Sequence, residues 1–127
     1  MLPQLRLIPD SLALTIDALA DIGPDDTILA IGVSPCARLT VEAMDVAQER
    51  GTTLLALTDR RSSPLAQRAI LSLYASTDSP HFYPSTIALT LLGEALLATV
   101  VTIGDQSSLQ RLHRIETLRK KSDGFMK

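Results

Sequence analysis

Residues 27–51, TILAIGVSPCARLTVEAMDVAQERG, decide how the chain reads. Thr27–Val33 is a short run of apolar and β-branched residues, the pattern of a strand covered on both faces of a parallel sheet. Ser34 follows where a helix N-cap belongs. Pro35 comes next, at the first helical position, where its missing N–H is not needed. Leu39, Ala43, Val46 and Ala47 then fall on one helical stripe, and Gly51 supplies the stop. The unit is strand, tight turn, helix. In a parallel sheet such a turn lies at the carboxyl edge, where free backbone N–H groups and the helix dipole favour an anion. The first candidate site is therefore the Ser34 hydroxyl with the N–H groups of Cys36, Ala37 and Arg38.

The pattern repeats on either side. Gln4–Ile8 is a short strand candidate. Asp10 or Ser11 then caps a helix to about Ile22, with Leu12, Ile16 and Leu19 on its apolar face and Gly23-Pro24 as its stop. Thr53–Leu57 is a second buried strand. Ser63-Pro64 repeats the cap-then-proline signal and opens a short helix to about Arg68. Ile70–Ala75 is a further strand whose polar alternation suits a sheet edge. A polar loop, 76–83, leads to Pro84 or Ser85 at the head of a long apolar helix ending near Gly104. Asp105 caps a last helix, Gln106–Lys121, with Leu109, Leu112, Ile115 and Leu118 at three-residue spacing; the tail beyond it frays. Strands alternating with helices predict a three-layer α/β/α sandwich around a mainly parallel sheet. The expectation is one domain over residues 1–127, with its core in 4–104 and a C-terminal helix over 105–121.

Composition narrows the function. The chain has 127 residues, 46% of them hydrophobic, two Phe, two Tyr and no Trp, so its core is aliphatic. A net charge of −2 offers no general attraction to nucleic acid. The basic cluster Arg119–Lys121 suits a helix C-terminus and is too small to argue for DNA. One cysteine, Cys36, excludes an internal disulfide and fits a reducing cytoplasm. Thr86–Ile103 approaches the length of a membrane span. Glu94 and recurring threonines favour the alternative, an apolar helix at the centre of an α/β domain. His81 and His113 lack the spacing of metal ligands, and no metal or cofactor is expected.

Taken in order, these residues resemble the sugar isomerase (SIS) domain, in the version found in RpiR-type bacterial transcription regulators. The resemblance covers about residues 4–103. It rests on Ala47 to Gly51 ending a helix, Thr58-Asp59 ending a strand, Ser63-Pro64-Leu65-Ala66, and Ser85 at the head of the long helix. It implies a phosphosugar-binding domain. Regulators of this family sense a sugar phosphate with it and hold DNA through a separate helix-turn-helix domain, whereas the family's isomerases use the fold catalytically. The common turn of the family is S-x-S-G-x-T. Here Gly32 stands for the first serine, Ser34 for the second, Pro35 for the glycine and Ala37 for the threonine, so two phosphate-binding hydroxyls are replaced. The family's first strand and Gly-rich turn precede the stretch matched here. The expectation is that Gln4–Ile8 pairs directly with Thr27–Val33, or that a second chain fills the gap.

The resemblance and the strand ends together give a ligand-binding set of Gly32, Ser34, Cys36, Ala37, Arg38, Thr58, Asp59 and Ser85. Asp59 would hold a sugar hydroxyl or close its own loop, and Ser85 would face the crevice or cap its helix. Three functions follow. The first is a non-catalytic sugar-phosphate sensor without its DNA-binding domain, cytoplasmic and homodimeric through the long and last helices. The second is a sugar-phosphate isomerase, which needs an acid–base pair drawn from Asp59, Glu94 and His81. The third is an oligomerisation remnant that has lost its ligand.

Overall fold

Alanines at matched positions let the helices approach the sheet closely. In the computed structural model, which describes residues 6–8, 12–104 and 106–121, three strands form a parallel sheet in the order β1-β2-β3. They are β1 (Thr27–Ile31), β2 (Thr53–Thr58) and β3 (Leu71–Tyr74). Ala30 pairs with Ala56 and Ile28 with Leu54. On that face lie α2 (Arg38–Glu49) and α3 (Pro64–Arg68), which bury Met44, Ala47 and Leu65 against Ala30, Leu54 and Ala56. An ion pair joins the two helices, Arg68 Nε to Asp45 Oδ1 at 2.6 Å.

The remaining helices are α1 (Leu12–Ala18), α4 (Ile87–Ile103) and α5 (Gln106–Lys121). Leu57 points to the opposite face and is buried; the start of α4 reaches it, with Gly93 packed at the Leu57 methyl. The α/β class and the parallel sheet are as the sequence indicates, and β3 is an edge strand. The covering of β1 is not as expected. Only Ala30 of β1 is buried, because α4 meets the second face at Leu57. Leu29, Ile31, Leu71 and Leu73 on that face keep 39%, 56%, 70% and 43% of their surface.

The chain divides into two compact units. One is residues 6–93; the described part of the other is 94–104 and 106–121, the second half of α4 followed by α5. In α4 the hydroxyls of Thr90, Thr99 and Thr102 donate to the carbonyls of Thr86, Ala95 and Ala98 one turn back. No described helix is long and apolar enough to cross a membrane.

Several local signals hold. Gly51 ends α2 with a φ of 75°, in the left-handed region that glycine tolerates. Ser63 caps α3 by accepting the Leu65 N–H at 3.2 Å, with Pro64 at its first position. Others do not. The segment 6–8 has no regular structure, so a strand over Gln4–Ile8 is not present among the described residues. Ser34 is not the cap of α2. That helix begins three residues later than its cap-proline signal suggests, with Ala37 at the N-cap and no side-chain cap bond. The turn is tied to the next strand instead, the Ser34 N–H donating to Asp59 at the end of β2 at 3.3 Å. Residues 4 and 5, the caps at Asp10, Ser11 and Asp105, and the tail 122–127 lie outside the described residues, as do the side chains of Leu12, Leu109 and Leu112.

Gly32 is where the closeness of the helix layer is felt most. A Cβ built there would lie 2.9 Å from a Leu65 methyl. Leu65 is itself fully buried, so its terminal methyl must shift within the core to admit a side chain there. A serine at position 32 is therefore incompatible with Leu65 as packed. We expect Gly32→Ser to destabilise the fold by about 1–3 kcal/mol through overpacking. Leu65→Ala alone should cost about 2–5 kcal/mol. The double variant should cost less than the sum, a coupling that urea denaturation of the four proteins measures.

Candidate functional site

Parallel strands direct their carboxyl ends to one edge of the sheet, and there the chain collects its polar side chains. Thr58 is the last residue of β2. It is fully buried, and its hydroxyl lies 2.9 Å from Ser63 Oγ and 3.3 Å from Asp59 Oδ1. Ser63 Oγ also lies 3.5 Å from Cys36 Sγ. One serine thus joins the end of β2, the start of α3 and the turn after β1. Buried hydroxyls are kept only where such partners exist.

Asp59 sits on this platform. Its side chain is 3% exposed. Oδ2 accepts from the Ser34 N–H at 3.3 Å and from Arg60 Nη2 and Nε at 2.9 and 3.1 Å. Burial pushes the Asp59 carboxyl up, but the hydrogen bonds from Arg60 and the Ser34 N–H, with the Arg60 charge, hold it below the ordinary carboxylate value. Arg60 remains more than half exposed, so its charge stays available at the rim.

Two adjoining depressions share Asp59 and Arg60. One, of about 330 Å³, is bordered by Ser34, Cys36, Val41, Ser62, Ser63 and Pro64. The other is a shallower groove of about 440 Å³, bordered by Tyr74 and the segment Ala75–Asp78 after β3. Arg61 lies over the Tyr74 ring at 5.8 Å from its centre, a cation–π contact beside the groove.

The residues singled out in the sequence fall into two groups. Ser34, Cys36 and Asp59 border the crevice, and Thr58 supports it from below. Gly32, Ala37 and Arg38 do not border it. Gly32 faces Leu65, and the Arg38 guanidinium pairs with Glu42 one turn on at 2.7 Å. Ser85 is adjacent through its backbone, its N–H donating to the Thr77 carbonyl at 2.9 Å, while its hydroxyl accepts the Ile87 N–H at 3.4 Å as a cap of α4. In the sequence Arg60-Arg61 reads as an anion contact or a solvated turn, with the turn favoured, Ala75 as the end of a strand and 76–78 as polar loop. The signal that could have found Arg60 is its place directly after Thr58-Asp59 at a strand's carboxyl end. Among the described residues, no three His, Cys, Asp or Glu side chains gather as a metal site would require.

A family model for the SIS domain matches residues 7–102. This chain belongs to the SIS domain family. Among solved structures it is similar to the sugar isomerase domain of an RpiR transcription factor from Sphaerobacter thermophilus, with 30% identity and a TM-score of 0.74 over 81% of this chain and 57% of that one. It shares its fold with the Vibrio vulnificus NanR protein complexed with ManNAc-6P, at 16% identity and a TM-score of 0.75 over 91% of this chain and 45% of that one. The chain therefore spans about half the length of these two proteins. No curated protein matches.

Because Asp59 ionises more readily in the folded chain than in the unfolded one, its stabilising effect is complete above the unfolded value and is lost as pH falls through the lower folded value. Asparagine keeps an acceptor for the Ser34 N–H but does not titrate. We expect the stability of Asp59→Asn to fall less than that of the wild type between about pH 5 and about pH 2.5, as read by urea denaturation at each pH. Parallel curves for the two proteins would remove Asp59 from the acid limb.

Proposed function

We propose that this chain is the sugar-phosphate-sensing part of an RpiR-type transcription regulator, acting in the cytoplasm by binding rather than catalysis. The observation that carries the reading is the crevice itself. It lies at the carboxyl ends of parallel strands, in an SIS chain 30% identical to an RpiR regulator, with Arg60 at its rim and the Ser34 turn at its wall. The phosphate would be held at the Ser34 turn with Arg60, and the sugar would extend along the groove toward Ser76 and Thr77. The residues bordering the crevice offer carboxylates, hydroxyls, a thiol and an arginine but no histidine, and His81 is exposed outside it. Binding rather than catalysis is supported by the likeness to a transcription regulator's domain at 30% identity. DNA contact belongs to another part of such a regulator.

The regulator would work as a homodimer through α4. Leu97, Val100 and Ile103, three residues apart, are exposed on that helix, an apolar surface of the kind that marks an interface. Leu97→Asp combined with Val100→Asp should convert a dimer to a monomer in sedimentation velocity. An unchanged mass would remove α4 from the interface.

Thermal unfolding against a panel of sugar phosphates, including N-acetylmannosamine 6-phosphate and with the free sugars as controls, tests the sensing reading. A ligand at one hundred times its dissociation constant stabilises the folded chain by about 2.7 kcal/mol. We expect one sugar phosphate to raise the unfolding temperature, its free sugar to leave it unchanged, and Arg60→Gln to abolish the shift. Absence of a shift across the panel would favour the remnant that has lost its ligand.

A further inference from the structure

The Ser34 turn already holds an anion. Asp59 Oδ2 takes the Ser34 N–H and two nitrogens of Arg60, the groups a bound phosphate would use, from a side chain nearly closed to solvent. Its second oxygen, Oδ1, lies within reach of the Thr58 hydroxyl. Screening between like charges is weak where water is excluded. An incoming dianion must therefore displace this carboxylate or bind against it. Once displaced, the carboxylate needs new donors, because a buried ionised carboxylate without them is strongly disfavoured.

We propose that Asp59 is a specificity-determining residue that keeps free inorganic anions out of the Ser34 turn and admits a phosphate only when it is carried on a polyol. The inference rests on the sugar-phosphate reading of the crevice. A sugar's hydroxyls are donors, and Asp59 borders both the turn and the groove along which those hydroxyls would lie. The displaced carboxylate can accept from them. Sulfate carries no donor, and inorganic phosphate carries only its acid protons. The exchange is thus balanced for an esterified sugar and unbalanced for the free anions that surround any cytoplasmic protein. Arg60 stays in place throughout and changes its partner from carboxylate to phosphate.

The test is titration of the full chain with sulfate, and separately with glucose 6-phosphate, at about pH 7.5 and fixed ionic strength, where Asp59 is ionised. Binding is read at the Ser34 backbone amide by two-dimensional NMR, in the wild type and in Asp59→Asn. Asp59→Ser serves as a second variant should the first lose its dispersed amide spectrum. We expect sulfate to bind either folded variant at least tenfold more tightly than the wild type. Arg60→Gln, which leaves the carboxylate in place, should not gain sulfate affinity. Unchanged or weaker sulfate binding in a folded Asp59 variant overturns the proposal. If that occurs while glucose 6-phosphate still binds the wild type, the filter falls and the sensing reading stands. If sulfate affinity rises tenfold but neither glucose 6-phosphate nor any sugar phosphate of the thermal-unfolding panel binds any of the proteins, the exclusion of free anions stands, and the admission of a phosphate on a polyol falls together with the sensing reading.

Discussion

The close approach of α2 and α3 to the sheet is the constraint on which the rest depends. Ala30 and Ala56 are paired across β1 and β2, and neither side chain extends beyond a methyl. Met44, Ala47 and Leu65 can therefore settle directly on the strands and bury completely. Larger residues at the two alanines would lift the helices and open the seam beneath them. The same closeness removes the room for a side chain at Gly32 and brings the start of α3 within hydrogen-bonding distance of Thr58. Core and site are thus set by one packing distance. A change at Leu65 is felt at the turn after β1, and a side chain added at Gly32 is felt in the core.

The polar side of that seam is built in the order in which buried groups must be satisfied. Ser63 bonds the backbone of its own helix and receives Thr58, and Cys36 lies against it. Thr58 lies against Asp59, and Asp59 holds the backbone of Ser34. The Ser34–Asp59 and Cys36–Ser63 contacts bring together segments 25 and 27 residues apart, whereas Thr58, Asp59 and Ser63 are linked within one stretch of chain. Along the groove after β3, the segment 75–78 is tied to the sheet by the Ala75 N–H and to the head of α4 by the Thr77 carbonyl.

Two serine-proline pairs show what the sequence could and could not disclose. Ser63-Pro64 and Ser34-Pro35 carry the same local signal for a helix start. At Ser63 the hydroxyl meets the N–H two residues on, and the helix begins where the signal puts it. At Ser34 the backbone is claimed by a carboxylate 25 residues later, and the helix starts beyond it. Local chemistry was readable; the tie to the next strand was not. The alternation of strands and helices, the positive-φ stop at Gly51 and the edge position of β3 were legible because each depends on neighbours in sequence. The exposure of β1 was not, since an apolar run records that a face can be covered and not what covers it. In the site, Asp59 was legible from its place at a strand end. Arg60 read as an anion contact or a solvated turn, and nothing local could decide between them; the packing at Gly32 could be understood only after Leu65 was placed.

The threonines of α4 carry a consequence for how that helix meets its surroundings. Thr90, Thr99 and Thr102 each turn their hydroxyl back to a carbonyl of the preceding turn, so they present methyl groups outward. Water withdrawn from this helix leaves no hydroxyl stranded. Glu94 is the only charged residue among its 17. The helix can be dried around most of its circumference, and Glu94, which is exposed, is the one charged group that would then need water or a partner. A single carboxylate therefore disfavours those rotational settings of α4 that bury it against an apolar surface without a partner.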